Sequence, residues 1–381
     1  MVINMIYLDN AATTNPKPKN VINAVIKGMN ISANPGRSGH EMSLRASEEV
    51  FKARKKVADF FSCEKAENVI FTSNCTQSLN TAIRGLLKAG DHVITSSLEH
   101  NSVSRVLENL AQEGKITYSV AEVENDDETT VNNFKKLIRP NTKMIVCTHA
   151  SNVFGTILPI EKIGFLAKNY GLKFVLDTAQ SAGKIKIDME KMNIDALCAP
   201  GHKSLYGSMG TGVLLLKSDK IKPFIIGGTG SESMNLNQPS FLPDRLESGT
   251  LNLPGIISIS AGVDFVNGIG VQKIHEYEMR LCEELYNFLY NSNKYTVYSD
   301  PSPLKSVSTV AFNRKGMHSE EVADILASDG ICVRAGYHCA YLAHKSRKTD
   351  EQGAVRVSLS VFNKADDIKI LIKSLNKIEK L

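Results

Sequence analysis

The chain has 381 residues, 42% apolar and 22% charged, with a net charge of +5 scattered along its length. That size and composition predict two or three domains with a sizeable core, and without a basic block interleaved with aromatics nucleic acid is not an expected partner. No apolar run exceeds strand length, so no membrane span is expected, and seven cysteines with no C-x-x-C pair argue against both a disulfide framework and a zinc site.

The first residues, Met1-Val2-Ile3-Asn4-Met5, lack the basic start and cleavage site of a signal peptide, so a cytoplasmic protein with reduced thiols is expected. From about Glu67 to Lys217 short β-rich runs alternate with amphipathic stretches, which predicts an α/β fold with a parallel sheet covered on both faces. The expected strands are Val69–Thr72, His92–Thr95, Lys143–Thr148, Lys173–Leu176, Ala196–Ala199 and Val213–Lys217. Helical patterns fall at Thr76–Lys88, Ser102–Glu113, Asn132–Ile138 and Ile160–Asn169, with a short one near Met189. The acidic, Thr-rich Glu122–Thr130 reads as a solvated connection. Gly227–Pro243 then forms a long irregular segment, either a functional loop or a linker. Helices at Ile256–Val266 and Val271–Tyr290 follow. The remainder reads as a smaller α+β unit, with strands at Val307–Phe312 and Val355–Leu359 and helices at Ser319–Ser328 and Lys364–Lys380.

Two polar segments end successive apolar runs: Asp177-Thr178-Ala179-Gln180 after Phe174–Leu176, and Pro200-Gly201-His202-Lys203 after Ala196–Ala199. Strand ends are where α/β folds place their chemistry. A carboxylate and an amine at neighbouring strand ends are what pyridoxal phosphate (PLP) requires. The amine links to the cofactor's aldehyde, and the carboxylate keeps the ring nitrogen protonated so that the ring can accept electrons. On these two segments alone, a structural Asp and a surface Lys explain the pattern equally well.

Further polar groups follow other strands of the same sheet. Thr72–Asn80 places small and hydroxyl residues where a strand meets a helix, a setting for phosphate binding, although an ordinary N-cap explains it too. Glu99-His100 offers a ring to stack on a planar cofactor, and Ser151-Asn152 an amide. Each is weak alone. Their recurrence after successive strands is not.

Taken together, His202-Lys203, Asp177-x-x-Gln180, Glu99-His100, Ser151-Asn152-Val153-Phe154-Gly155 and Glu247-Ser248-Gly249-Thr250 resemble the class V aminotransferase family of fold-type-I PLP enzymes. Arg334-Ala335-Gly336-Tyr337-His338-Cys339-Ala340 resembles the RxGxHCA motif of type II cysteine desulfurases and selenocysteine lyases. The resemblance runs from Tyr7-Leu8-Asp9-Asn10-Ala11-Ala12 to Arg356-Val357-Ser358-Leu359. It implies a large PLP-binding domain over 16–255, built on a mainly parallel seven-stranded sheet. Segments 1–15 and 256–381 would form a smaller α+β domain.

The same resemblance implies roles. Lys203 would hold the cofactor and move the substrate Cα proton. Asp177 would pair with the ring nitrogen, Gln180 with the ring hydroxyl oxygen, and His100 would stack on the ring. Asn152 would lie near the ring hydroxyl and the substrate carboxylate. Cys75 (through its backbone), Thr76 and His202 would hold the phosphate. Thr250 would reach the phosphate of a neighbouring subunit, which implies a homodimer. Arg356 would grip the substrate carboxylate, where a bidentate fork suits the target. His40, in Gly36-Arg37-Ser38-Gly39-His40, would lie near the substrate, as would Arg334. No metal is implied.

Two positions depart from the family pattern: Pro200 stands where a small polar residue is usual, and Cys75 where Thr is common. Pro has neither hydroxyl nor N–H to offer a phosphate. The reaction turns on Cys339, whose thiol needs nearby positive charge to become a nucleophile; Arg334 and His338 are close in sequence. Cys63, Cys147, Cys198, Cys282 and Cys332 read as small buried residues. The implied activity is L-cysteine desulfuration, giving alanine and a persulfide on Cys339. That sulfur would pass to an acceptor protein or thiol and feed iron–sulfur or other sulfur-carrying pathways. Selenocysteine is an alternative substrate, a transaminase an alternative activity, and a non-catalytic PLP-binding scaffold a third reading.

Overall fold

The computed structural model describes residues 5–31, 33–36 and 38–380. Residues 1–4, on which the signal-peptide expectation rests, lie outside these, as does Arg37. Seven strands make the central sheet, in the spatial order Val69–Thr72, Gly212–Leu216, Ala196–Pro200, Lys173–Asp177, Thr142–Thr148, Asp91–Ser96 and Ile116–Ala121. All are parallel except Gly212–Leu216, which runs against both neighbours. The inner strands are apolar throughout because helices cover both faces. Ile145, Phe174, Leu176 and Leu197 feed one core, while Met144, Val146, Val175 and Cys198 feed the other. This two-residue alternation is the strand period.

Register sets the chemistry. Thr148 stands beside Asp177, and Asp177 beside Cys198, so successive strands end at one level. The chain then turns into Ala179–Gln180 and into Gly201–Lys203. Gly201 has to be glycine, since a Cβ there would meet Thr211 Oγ1 at 2.2 Å.

A second, three-stranded antiparallel sheet orders Val355–Ser358, Thr309–Arg314 and Tyr295–Val297. Leu281, Leu285, Phe312, Val357, Leu371 and Leu375 share its core. Ile6–Tyr7 pairs in parallel with Ile331–Cys332, and Leu8 is buried in the same core, so the beginning of the chain meets its C-terminal third. The helix Leu253–Ile269 packs on Lys19–Asn30 and Glu41–Phe61, and its Ile256, Ile259 and Val263 belong to the core of the large sheet. No single helix among the described residues is long and apolar enough to cross a membrane.

Several elements differ from the sequence reading. Ile116–Ala121 is a strand that the periodicity did not reveal: it is a sheet edge with only its ends fully buried. The segment read as a solvated connection already turns helical at Asp127, because the Asp126 carboxylate caps the helix by accepting from Thr129 N–H at 2.7 Å. No helix forms near Met189; the chain there turns, and Met189 N–H donates to the Phe61 carbonyl at 3.0 Å. Gly227–Pro243 carries no helix or strand, as expected.

Candidate active site

Strand ends and one helix start enclose a cavity of about 180 Å³ lined by Cys75, Thr76, His100, Asn152, Asp177, Gln180, Pro200, His202 and Lys203, among others. Every one of these was expected at the site except Pro200, the position where a phosphate contact is lost. The helix Cys75–Leu86 opens on this cavity. Its N-cap is Asn74, whose Oδ1 accepts from Gln77 N–H at 2.9 Å, so Cys75 and Thr76 hold the first-turn N–H groups that an anion can use. The helix comes close to the sheet because residue 212 is glycine: a Cβ there would lie 2.6 Å from the Asn74 carbonyl carbon.

Asp177 is buried, and burial raises its carboxyl above the ordinary range, against the pull of the Ala179 N–H (2.8 Å) and the Lys203 ammonium. A buried carboxylate in that position calls for a protonated partner. Lys203 is pushed the other way: burial lowers its amine, and Asp177 only partly restores it. Burial lowers His100 and His202 to about 4, so both rings are neutral at working pH. A neutral imidazole suits stacking, because it adds no charge beside Lys203. Cys75 Sγ stands 3.7 Å from Asp177 Oδ1, and burial pushes its thiol well up, so it remains protonated. Gln180 Nε2 donates to the Ala11 carbonyl at 3.0 Å, joining the cavity to the start of the chain.

These residues fit a PLP molecule. Among the described residues, Lys203 is the cation that acts on Asp177, and His202 Nδ1, Asn152 Oδ1 and Arg356 Nε are buried with no hydrogen-bond partner. Buried polar atoms are rarely left so. Two of them, on His202 and Asn152, belong to residues that line the cavity and mark it as a place built for a polar ligand. Lys203 would link the cofactor, Asp177 would face its ring nitrogen, and Thr76 with His202 would hold its phosphate.

Arg356 is 1% exposed; its Nη1 donates to the Asn152 carbonyl at 2.9 Å and its Nη2 pairs with Asp9. Arg334 sits alongside through a backbone bridge, Arg356 N–H to Arg334 O at 2.7 Å. The Cys339 thiol is exposed. His338 and Cys339 both adopt left-handed backbone conformations (φ 50° and 54°) after Gly336 at φ 91°. Two consecutive non-glycine residues in that region cost on the order of 1–2 kcal/mol each. The turn persists because other elements hold its carbonyls: Asn152 Nδ2 donates to His338 O at 2.8 Å, and Asn101 N–H to Cys339 O at 2.7 Å. His338 does not supply the positive charge that its place in the sequence suggests. Its ring is buried and stacked on His344 (5.7 Å, 13° between planes), and burial next to Arg356 holds its pKa well below the usual histidine value.

Two expected residues lie elsewhere. His40 is exposed and caps the helix Glu41–Phe61 by accepting from Ser43 N–H at 3.2 Å. Thr250 lines a neighbouring cavity with Ser73, Gly210 and Glu247. Glu247 in turn is locked by a buried bidentate pair with Arg54, 2.7 Å on each arm. Sequence reasoning missed Asp9, Asn101 and Arg54. Only Asp9 had a signal, its place in the Tyr7–Ala12 motif.

The sequence profile of the family Aminotransferase class-V matches residues 6–371. The chain is 31% identical to a probable cysteine desulfurase of Methanothermobacter thermautotrophicus, over 98% of this chain and 94% of that one. It is 30% identical to a cysteine desulfurase of Serratia proteamaculans, over 98% and 93%. Among solved structures it resembles the apo cysteine desulfurase of Thermococcus onnurineus NA1, with a TM-score of 0.90 and 32% identity over 99% of this chain and 95% of that one. It also resembles the cysteine desulfurase CsdA of Escherichia coli, with a TM-score of 0.88 and 25% identity over the same shares. The expected α/β fold-type-I architecture is therefore the observed one, and the chain belongs to the aminotransferase class-V family, on the side of its cysteine desulfurases.

Proposed function

We propose that this chain is a PLP-dependent L-cysteine desulfurase that leaves the substrate sulfur on Cys339 and releases alanine. The observation that carries the reading is the Cys339 turn, an exposed thiol on a strained backbone tied to Asn152 and Asn101 beside the cofactor cavity. PLP supplies an electron sink that acidifies the amino acid's Cα–H and weakens its Cβ–S bond. Lys203, its amine made less basic by burial, takes and returns the Cα proton. Arg356 receives the substrate carboxylate. The Cys339 sulfur bonds to the substrate sulfur as the Cβ–S bond breaks. The carbon skeleton leaves with a proton as alanine, and Cys339 keeps both sulfurs as a persulfide. Cysteine and one thiol account for all atoms, with no external oxidant.

A homodimer and a sulfur acceptor are part of this reading. The dimer is supported by Thr250, which lines a neighbouring cavity rather than that of Lys203, and by exposed apolar side chains: Ile22, Ile26 and Met29 on one helix, and Ile225, Ile226 and Leu236 around the irregular segment. The test is mass spectrometry of Cys339 after incubation with L-cysteine, where one added sulfur atom is expected. Cys339→Ala should retain the cofactor's absorbance yet form no alanine from cysteine. Unchanged alanine formation would end the mechanism. Release of selenide from selenocysteine by the same variant would favour selenocysteine as substrate.

A further inference from the structure

The Tyr7-Leu8-Asp9-Asn10-Ala11-Ala12 motif has no part in the reaction as described, yet its carboxylate occupies the site's main carboxylate receptor. Arg356 is almost wholly buried, whereas the Asp9 side chain keeps 20% of its surface exposed. Of the guanidinium nitrogens, Nη1 is committed to the Asn152 carbonyl, Nη2 is paired with Asp9, and Nε is buried with no partner. A bidentate carboxylate needs two adjacent donors. The fork formed by Nε and Nη2 is therefore half filled by Asp9, with its other half unpartnered among the described residues.

The reach of Asp9 is anchored from behind. Its own backbone pairs with Ser358 in an isolated parallel bridge, and its carbonyl accepts from Tyr7 Oη at 3.1 Å. Next along the chain, Ala11 O accepts from Gln180 Nε2, and Thr14 Oγ1 donates to Lys203 O at 3.0 Å. The segment thus lies against both the cofactor residues and the arginine. A buried guanidinium without a counter-ion is strongly unfavourable, and Asp9 supplies that counter-ion.

We propose that Asp9 is a placeholder for the substrate's carboxylate: it neutralises and orients Arg356 in the free protein, and an α-amino acid displaces it on binding. This rests on the reading of the cavity as a PLP site for amino acids. Substrate affinity is then set by an exchange of one carboxylate for another. Removing the charge of Asp9 leaves Arg356 uncompensated, so an incoming carboxylate gains more than in the wild-type protein. Asp9 is a positioning residue here, not a catalytic one.

The test uses the PLP-loaded protein and two amines read by the cofactor's absorbance: L-alanine, which carries the carboxylate, and cysteamine, which lacks it. Asp9→Asn should bind L-alanine about tenfold tighter, as expected for loss of a competing charge-assisted bond, with cysteamine unchanged. Asp9→Glu should restore wild-type affinity for both. Weaker or unchanged L-alanine binding in Asp9→Asn, or an equal change for both amines, would overturn the proposal. A second measurement does not depend on the variant folding. A crystal structure of the wild-type protein with L-alanine should show the ligand carboxylate on Nε and Nη2 and Asp9 turned away. Asp9 still seated on Nη2 would overturn it as well. A wild-type protein whose spectrum responds to neither amine would overturn the functional reading along with the proposal, whereas a response to both without carboxylate preference in Asp9→Asn overturns the proposal alone.

Discussion

Asp177 and Lys203 follow strands whose backbones are paired on both sides, with Asp177 bracketed by Thr148 and Cys198. Cys339 has no such support. It sits in a two-residue left-handed turn closed by Ala340 N–H to Tyr337 O at 2.9 Å, and the two turn carbonyls are each held by one hydrogen bond, from Asn152 and from Asn101. The first region is rigid through its own secondary structure and tolerates buried titratable groups. The second exposes Cys339 and is strained, and beyond one turn hydrogen bond it depends on the partners that grip it. A thiol proposed to meet a substrate and deliver sulfur to an acceptor needs access, which a sheet interior cannot give. The difference teaches that the two halves of the site fail in different ways when altered.

The sharpest way to break the comparison is to cut the link between the regions. Asn152→Ala removes the donor to His338 O and leaves a buried carbonyl unpaired, a cost of about 1–3 kcal/mol. We expect turnover of cysteine to fall on the order of 100-fold, as for a misplaced reacting group. Amide exchange at 336–340 should accelerate while residues 173–177 stay protected. Unchanged exchange at 336–340 would mean that the turn holds itself.

The same contrast explains what could be read in advance. Asp177, Lys203, His100 and Asn152 were legible because each follows an apolar run, and strand ends in such sheets converge whatever the loops do. Cys339 was legible through its motif, but its environment was not. Its partners come from distant parts of the chain: Asn101 N–H donates to Cys339 O, and Asn152 lies 186 residues from His338. Nearness in sequence pointed to His338 as a source of charge, whereas the fold buries its ring against His344 and keeps it neutral. Edge strand Ile116–Ala121 escaped notice for a related reason: one side of it has no strand to pair with, so its burial pattern is weak. His40 and Thr250 do not line the cavity formed by Asp177 and Lys203, and the proposed dimer gives them a place at a site.

The rigid half can be probed through pH. Glu99 ends the approach to His100; its Oε1 accepts from Ser96 Oγ and from Thr148 N–H at 2.9 Å, and its Oε2 has no partner. Burial raises its carboxyl to about 8 from an ordinary 4.5. A folded-state pKa above the unfolded one means stability that is complete below about 4.5 and lost as pH rises through about 8. The buried imidazoles of His100, His149 and His202 act at the other end. Each is lowered from 6.5 to about 4, so their contribution is complete above 6.5 and lost as pH falls through about 4. Glu99→Gln in the cofactor-free protein should therefore gain stability over the wild type as pH rises from 5 to 9, on the order of a few kcal/mol. The acid limb should not move. A difference in melting temperature that is constant with pH would show that Glu99 ionises freely and that its surroundings are wetter than its burial implies.

The smallest effect belongs to Pro200, which ends the strand before Lys203 and lines the cavity without offering a donor. The strand neighbour of Pro200 is Gly212, and the helix start at Asn74 packs closely over that glycine. A hydroxyl at position 200 would thus stand between the Cys75–Thr76 N–H groups and His202, where the cofactor phosphate is expected. Pro200→Ser adds a hydrogen bond worth about 1 kcal/mol, so cofactor loss measured by dialysis or absorbance decay should slow about fivefold. Against this, losing the ring frees the unfolded chain and lowers the stability of the cofactor-free protein by roughly 0.4–1 kcal/mol. The two effects separate cleanly, because the first needs cofactor and the second does not. If cofactor retention does not improve while the cofactor-free protein weakens as expected, the phosphate is held by the helix start and His202 alone, and the proline costs this pocket nothing.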